Sequence, residues 1–296
     1  MTAASTDLAH EGPGFPTWHR RYLLLFEELA QKVSDDPTFA LPYVNEYDAT
    51  AISRTVDLLG GDGLNIASCH VEDAHGKNCA CHLAANGPGS VFSSWTEIGP
   101  NGTSSGKLSR ALGCRRTAQT PPSATAIDFA IATRSYSESP WNSDSSLVTF
   151  TNLLEGFAIG PVGIRTEPAI DKPRDNHNRV HVYMGGTMDD VKTAASDPFF
   201  WLHHGFVDLM LEKWMKTHPT SVYPWTNSEA PAGHSYSDCQ APFVPLLSHA
   251  IFFSNSRAYG YTYDQIVDSA VVSTGSLVVI TIVMTALVIT ASLLYS

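Results

Sequence analysis

Two stretches of the chain repeat apolar residues at the period of a helix. From about Pro16 to Val33, Tyr22, Leu23, Phe26 and Leu29 recur three and four positions apart. The second stretch, Phe199 to Lys216, carries Trp201, Leu202, Phe206, Leu209 and Met210, and follows Asp197-Pro198, a capping residue with proline at the first helical position. Residues 51–149 are rich in Gly, Ser, Pro and Asn and predict a loop-rich connection. Residues 150–220 read as helical again, and residues 221–268, with their prolines and aromatics, as irregular or short-strand structure. The pattern predicts a mainly α fold with long irregular loops. From Ser269 to Ser296 there is no charged residue, and Leu277 to Ile289 is almost wholly apolar. About 20 apolar residues span a bilayer, so residues 269–296 are expected to form one C-terminal transmembrane helix.

Composition narrows the classes. The net charge is −11, and no Lys/Arg cluster offers a surface to phosphates, so a nucleic-acid partner is not expected. A hydrophobic content of 43% excludes global disorder. The opening MTAASTDLAHEG has neither a basic nor an apolar region, so no signal peptide is expected there. The five cysteines, Cys69, Cys79, Cys81, Cys114 and Cys239, predict two disulfides and one leftover thiol if the chain is lumenal. The Cys69-to-His82 cluster reads as disulfides rather than a zinc site, because its spacing is CxC. Asn101-Gly102-Thr103 is a glycosylation sequon.

The informative residues are the 12 histidines. His10 and His19 bracket HEGPGFPTWH, His177 and His181 form HNRVH, and His203 and His204 lie in the second apolar run. The i, i+4 spacing puts His177 and His181 on one helix face, one turn apart. Asn178 stands where a zinc protease carries its Glu, so that chemistry is absent. An imidazole buried in an apolar helix needs a hydrogen-bond partner or a metal. Adjacent helical residues point about 100° apart, so only one of His203 and His204 is expected to join the pair. Three neutral imidazoles suit copper or zinc and leave a coordination position open.

These segments resemble the tyrosinase family of type-3 copper proteins. The second copper motif, HNxxH followed by DPxFxxHHxxxDxxxxxW, matches His177, Asn178, His181, Asp197, Pro198, Phe200, His203, His204, Asp208 and Trp214. The first matches His10, Glu11, Pro13, Phe15, Trp18, His19 and Arg20. FSSW, NLLEGFA and the stretch from Gly233 to Phe253 resemble the animal, membrane-anchored branch, and HVYMGGTM and LHHGFVD resemble its tyrosinase members more than the tyrosinase-related proteins. The resemblance implies a type-3 copper helical-bundle core and two copper ions held by His10, His19, His177, His181 and His204. The implied activity is ortho-hydroxylation of monophenols such as tyrosine and oxidation of catechols such as DOPA to o-quinones with O2, in melanin synthesis, at a melanosome-type or other secretory-pathway membrane. It further implies that Glu155 and Asn178 hold the water that takes the phenol proton, with Asn178 also able to orient His177. Asp208 is expected to steady its helix and Arg20 to pair with a carboxylate. Residues 1–268 would be the copper domain: first motif 8–50, connection 51–149, second motif 150–220 and C-terminal segment 221–268.

Two departures qualify this expectation. The first site shows two histidines where the family has three, the third being expected upstream of a truncated N-terminus. The family's PYWDW segment reads Pro42-Tyr43-Val44-Asn45-Glu46, which alters the surroundings of the first copper. The alternatives are an inactive or truncated paralogue, or a zinc-bearing relative of the dopachrome tautomerase type.

Overall fold

The computed structural model describes residues 7–60, 70–72, 78–80, 92, 95–99, 102–113, 118, 120–141, 147–158, 175–220, 223 and 231–266. In chain order these form α1 (Phe15–Ser34), α2 (Ala49–Leu58), β1 (His70–Glu72), β2 (Asn78–Ala80), β3 (Thr96–Ile98), β4 (Ser104–Lys107), α3 (Ala124–Ala132), α4 (Phe150–Glu155), α5 (Asn176–Met184), α6 (Pro198–Thr217) and α7 (His249–Phe252). Among the described residues, strands contribute only two antiparallel hairpins, β1–β2 and β3–β4. The expectation of a mainly α fold holds, and both helical stretches read from the sequence are found within one residue at either end.

The loop-rich reading of residues 51–149 needs correction, because most of α2 and all of α3 lie there. Each starts on a cap: Asp48 accepts from Thr50 N, and Ser123 accepts from Ala126 N. In residues 221–268 the expected short strands reduce, among the described residues, to one bridge between Cys239 and Ser248. No helix of the described residues is long and apolar enough to cross a membrane. The expected transmembrane helix 269–296, Asn101 and the side chains of Cys69, Cys79, Cys81 and Cys114, on which the expected disulfides fall, lie outside what the structure describes. Cys239 carries a free, exposed thiol.

The chain divides into two compact units. Unit 1 holds the start of α1, α3, α4, the first turn of α5, the later part of α6 and the segment through α7. Its core is aromatic: Phe150 stacks on Trp214 at 4.7 Å, and Tyr136 meets Trp214 at 5.3 Å and Tyr223 at 5.4 Å. The polar ends of these rings are satisfied, with Trp214 Nε1 donating to Thr133 O at 2.7 Å and the Tyr136 hydroxyl to Pro13 O at 2.8 Å. Unit 2 holds the rest of α1, α2, β1–β4 and the remainder of α5 with the start of α6. There Phe26 stacks on Trp201 at 3.7 Å. The cap expected at Asp197 is present, accepting from Phe199 N at 2.9 Å. The same carboxylate takes a two-pronged contact from buried Arg110, 2.7 Å at both Nε and Nη2.

Candidate metal centre

In unit 1 the structure brings together His10, His19 and His177. His10 precedes α1, His19 sits on its second turn, and His177 opens α5. Their ring centroids are 5.0 Å apart for His10–His19, 6.2 Å for His19–His177 and 6.4 Å for His10–His177. The Phe15 ring packs against all three, at 4.7 Å from His19 and His177 and 6.0 Å from His10.

Each of these rings is held at Nδ1. His19 Nδ1 donates to Phe15 O, one turn back, at 2.9 Å. His177 Nδ1 faces Asn178 Oδ1 at 3.1 Å. His10 Nδ1 lies 3.1 Å from an Asp7 carboxylate oxygen, and Asp7 also accepts from the backbone N–H groups of Ala9 and His10. The His10 hydrogen bond, helped by those N–H groups, holds the Asp7 carboxyl well below the usual carboxylate range. An imidazole anchored at Nδ1 presents Nε2 in a fixed direction, which is how metal-ligating histidines are oriented.

Glu155 and Asn178 belong to the same unit. Glu155 ends α4, is buried, and accepts from Glu11 N at 2.8 Å, one residue past His10. Its approach to α5 depends on Gly156, whose φ of +98° closes α4 and whose carbonyl accepts from Asp175 N at 3.3 Å. A Cβ at Gly156 would lie 2.0 Å from Asp175 O.

Unit 2 assembles a second set. His181 Nδ1 faces Met188 O at 2.7 Å, across the turn that follows α5. His203 Nδ1 lies 2.5 Å from Glu46 Oε1, both side chains buried. Burial pushes the Glu46 carboxyl well above its ordinary value. Ring centroids are 5.1 Å for His181–His203, 5.7 Å for His181–His204 and 5.0 Å for His203–His204. Ligand atoms of His181, His203 and His204 all lie within 4.8 Å of one another. Both rings lie against that of His181, and the Glu46 carboxyl holds the His203 ring at Nδ1.

Sequence reasoning also missed two buried histidines that hold the loop of His10. His234 Nδ1 accepts from Gly14 N at 3.1 Å, and its Nε2 faces Asp7 O at 3.1 Å. His249 Nε2 faces Gly233 O at 2.8 Å, and its Nδ1 lies 2.6 Å from Thr17 Oγ1. Burial lowers both, His249 to about 4, so both stay neutral at pH 7. The glycines of HEGPG let them in: a Cβ at Gly14 would lie 2.6 Å from His249 Cε1. Arg20 and Asp208 do as expected. Arg20 Nε donates to Asp208 Oδ1 at 2.6 Å and its Nη2 to Glu212 Oε1 at 2.5 Å.

The donor set fits copper. Every candidate ligand is an imidazole, and neutral imidazole suits copper and zinc alike.

A family model described as the common central domain of tyrosinase matches residues 1–217. A tyrosinase of Bos taurus is 38% identical over 279 residues, covering 89% of this chain and 48% of that protein. A tyrosinase of Pelophylax lessonae is 33% identical over 283 residues, covering 90% and 49%. The chain thus spans about half the length of these relatives. Among solved structures, a polyphenol oxidase of Thermothelomyces thermophila superposes with a TM-score of 0.55 at 17% identity, covering 83% of this chain and 71% of that one. That likeness establishes the shared fold.

Proposed function

We propose, on the premise that this chain belongs to the tyrosinase family, that it is a copper oxidoreductase which ortho-hydroxylates monophenols and oxidises catechols to o-quinones with O2. The observation that carries this reading is the anchoring of the matched histidines His10, His19, His177 and His181 at Nδ1, which turns Nε2 toward a metal. In this reading the matched His10 and His19 of the first motif hold one copper ion, and the matched His177, His181 and His204 of the second motif hold the other. Two copper ions held there would supply the redox chemistry that couples O2 to oxidation of the substrate.

The chain's own residues then handle the proton and the geometry. Glu155, fixed by the Glu11 N–H, accepts the phenol proton through a water. Asn178 Oδ1 orients His177 and shares that water. Asp7 holds the His10 ring, and Phe15 packs against the rings of His10, His19 and His177. Residues 1–268 form the copper domain in this reading, and residues 269–296 anchor it to a secretory-pathway membrane, where tyrosine and DOPA lead to pigment precursors.

The test is to express the full chain with copper, measure metal per chain, and follow L-tyrosine and L-DOPA oxidation. Quinone formation dependent on copper supports the proposal. No quinone at full copper loading overturns it, and zinc in place of copper points to the tautomerase-like relative. Glu155→Gln is expected to lower turnover of L-tyrosine by about 10²-fold. The loss on L-DOPA should be smaller, because a catechol hydroxyl is more acidic than that of a monophenol.

A further inference from the structure

We propose that Asn176 is a positioning residue for the oxidation of monophenols: its carboxamide ties the start of α5 to α4, fixes Glu155 relative to Asn178, and so sets how fast monophenols turn over relative to catechols. The proposal rests on the copper reading above and deepens it, since that reading gives roles to Glu155 and Asn178 and leaves open what holds the two together.

Three observations carry it. The first is the tie itself. Asn176 Nδ2 donates to Leu153 O at 2.8 Å, one turn or less from Glu155, and lies 3.5 Å from Ala126 O of α3. Leu153 O is among the last carbonyls of α4, which a helix by itself leaves without a partner. The second is close packing. A Cβ at Gly156 would lie 2.0 Å from Asp175 O and 3.1 Å from Asn178 Cβ. Asn176 therefore stands where the segment carrying Glu155 meets the segment carrying Asn178. The third is the cost at which Asn176 is kept. Its φ is +37°, in a region that asparagine enters more readily than other side chains but that still strains it. It is buried, and its Oδ1 meets no donor among the described residues. Backbone strain and an unbonded buried oxygen at one residue point to a role beyond stability.

The tie acts on Glu155 from one side and the loop of His10 from the other. The Glu155 carboxylate accepts from Glu11 N at 2.8 Å, which fixes one of its oxygens. The bond from Asn176 to Leu153 O fixes the short helix that carries it. A misplacement of about 1 Å in a reacting arrangement can cost about 100-fold in rate. A monophenol depends on the proton transfer to Glu155 more than a catechol does, because its hydroxyl is less acidic. Loosening the tie therefore slows monophenols and spares catechols.

The test measures kcat and KM for L-tyrosine and L-DOPA in the full chain loaded with copper, for Asn176→Gly, Glu155→Gln and the double variant. Copper per chain and thermal unfolding serve as checks. Glycine keeps the positive φ and removes the carboxamide. Asn176→Gly is expected to lower kcat for L-tyrosine by about 10-fold, to change that for L-DOPA by less than about 2-fold, and to leave KM and copper content as they were. Asn176 acts through Glu155, so the double variant is expected to be no slower on L-tyrosine than Glu155→Gln alone. Asn176→Asp also tolerates the positive φ, turns the donor into an oxygen that repels Leu153 O, and is expected to match the glycine variant. In the metal-free chain both variants are expected to speed amide hydrogen exchange at Glu11, whose N–H the Glu155 carboxylate holds. If L-tyrosine turnover is unchanged, if it falls by the same factor as L-DOPA turnover, or if the losses multiply in the double variant, the proposal is overturned and the copper reading stands. If the unmodified chain makes no quinone at full copper loading, the copper reading falls and this proposal with it.

Discussion

Arg20 illustrates how single residues act in this protein. Its guanidinium is fully buried and bonded to Asp208 and Glu212, with carbonyls of Phe252 and Ser254 taking further contacts. The Tyr261 and Tyr263 hydroxyls donate to Asp208 Oδ2, each at 2.6 Å. Burial, followed by the Asp208 charge, raises both phenols well above their ordinary value and keeps them as donors. Arg20→Met would leave two buried carboxylates without their cation. It is expected to cost about 3–5 kcal/mol, read as a lower urea midpoint for the full chain. The motif made Arg20 and Asp208 visible in the sequence, yet Glu212, Tyr261 and Tyr263 drew no notice. Their roles depend on a fold that brings Glu212, 192 positions away, to the Arg20 guanidinium, and Tyr261 and Tyr263, 53 and 55 positions on, to the Asp208 carboxylate. Glu46 is a sharper case. As a replacement in PYVNE it looked like damage to the site, and in the structure it holds His203.

At the scale of elements, the helix ends place the chemistry. Thr149 caps α4 by accepting from Asn152 N, and Gly156 ends it in the left-handed region. That short helix delivers Glu155 beside the start of α5, where Asp175 accepts from Asn176 N at 3.1 Å. Gly156→Ala would strain φ and force its Cβ into Asp175 O. The expected cost is about 1–3 kcal/mol, measured by thermal unfolding, with a further loss of the metal held by His177 because the start of α5 must shift. Helices α1 and α6 were legible because each buries an apolar stripe and is 20 residues long. Helix α3 was not, since nine residues amid Pro, Ser and Thr leave little periodicity to read. The signal that identifies it is the Pro122-Ser123 start, with Ser123 Oγ 3.1 Å from Ala126 N.

For the whole molecule, the neutral histidine clamp predicts sensitivity to acid. His249 in the folded chain titrates at about 4, below the 6.5 of an unperturbed imidazole, because burial disfavours its charge. The unfolded chain therefore takes up a proton that the folded chain refuses. Stability is present above pH 6.5 and is lost as pH falls from 6.5 to 4, by about 3 kcal/mol from His249. His234 acts in the same direction. Urea midpoints measured from pH 7 to pH 4.5 should fall, and His249→Gln should flatten that fall. The sequence by itself determined the helical class, the family and five ligand candidates, because periodicity and motif spacing are local properties of a chain. Only the tertiary structure decided that the His203 ring lies against His181 and is held by Glu46, that Asp7 and Phe15 support the ligands, and that His234 and His249 hold the first motif's loop. Those choices depend on which distant side chains share one buried volume, where an unbonded polar group costs too much to be left, and chain spacing carries no record of that.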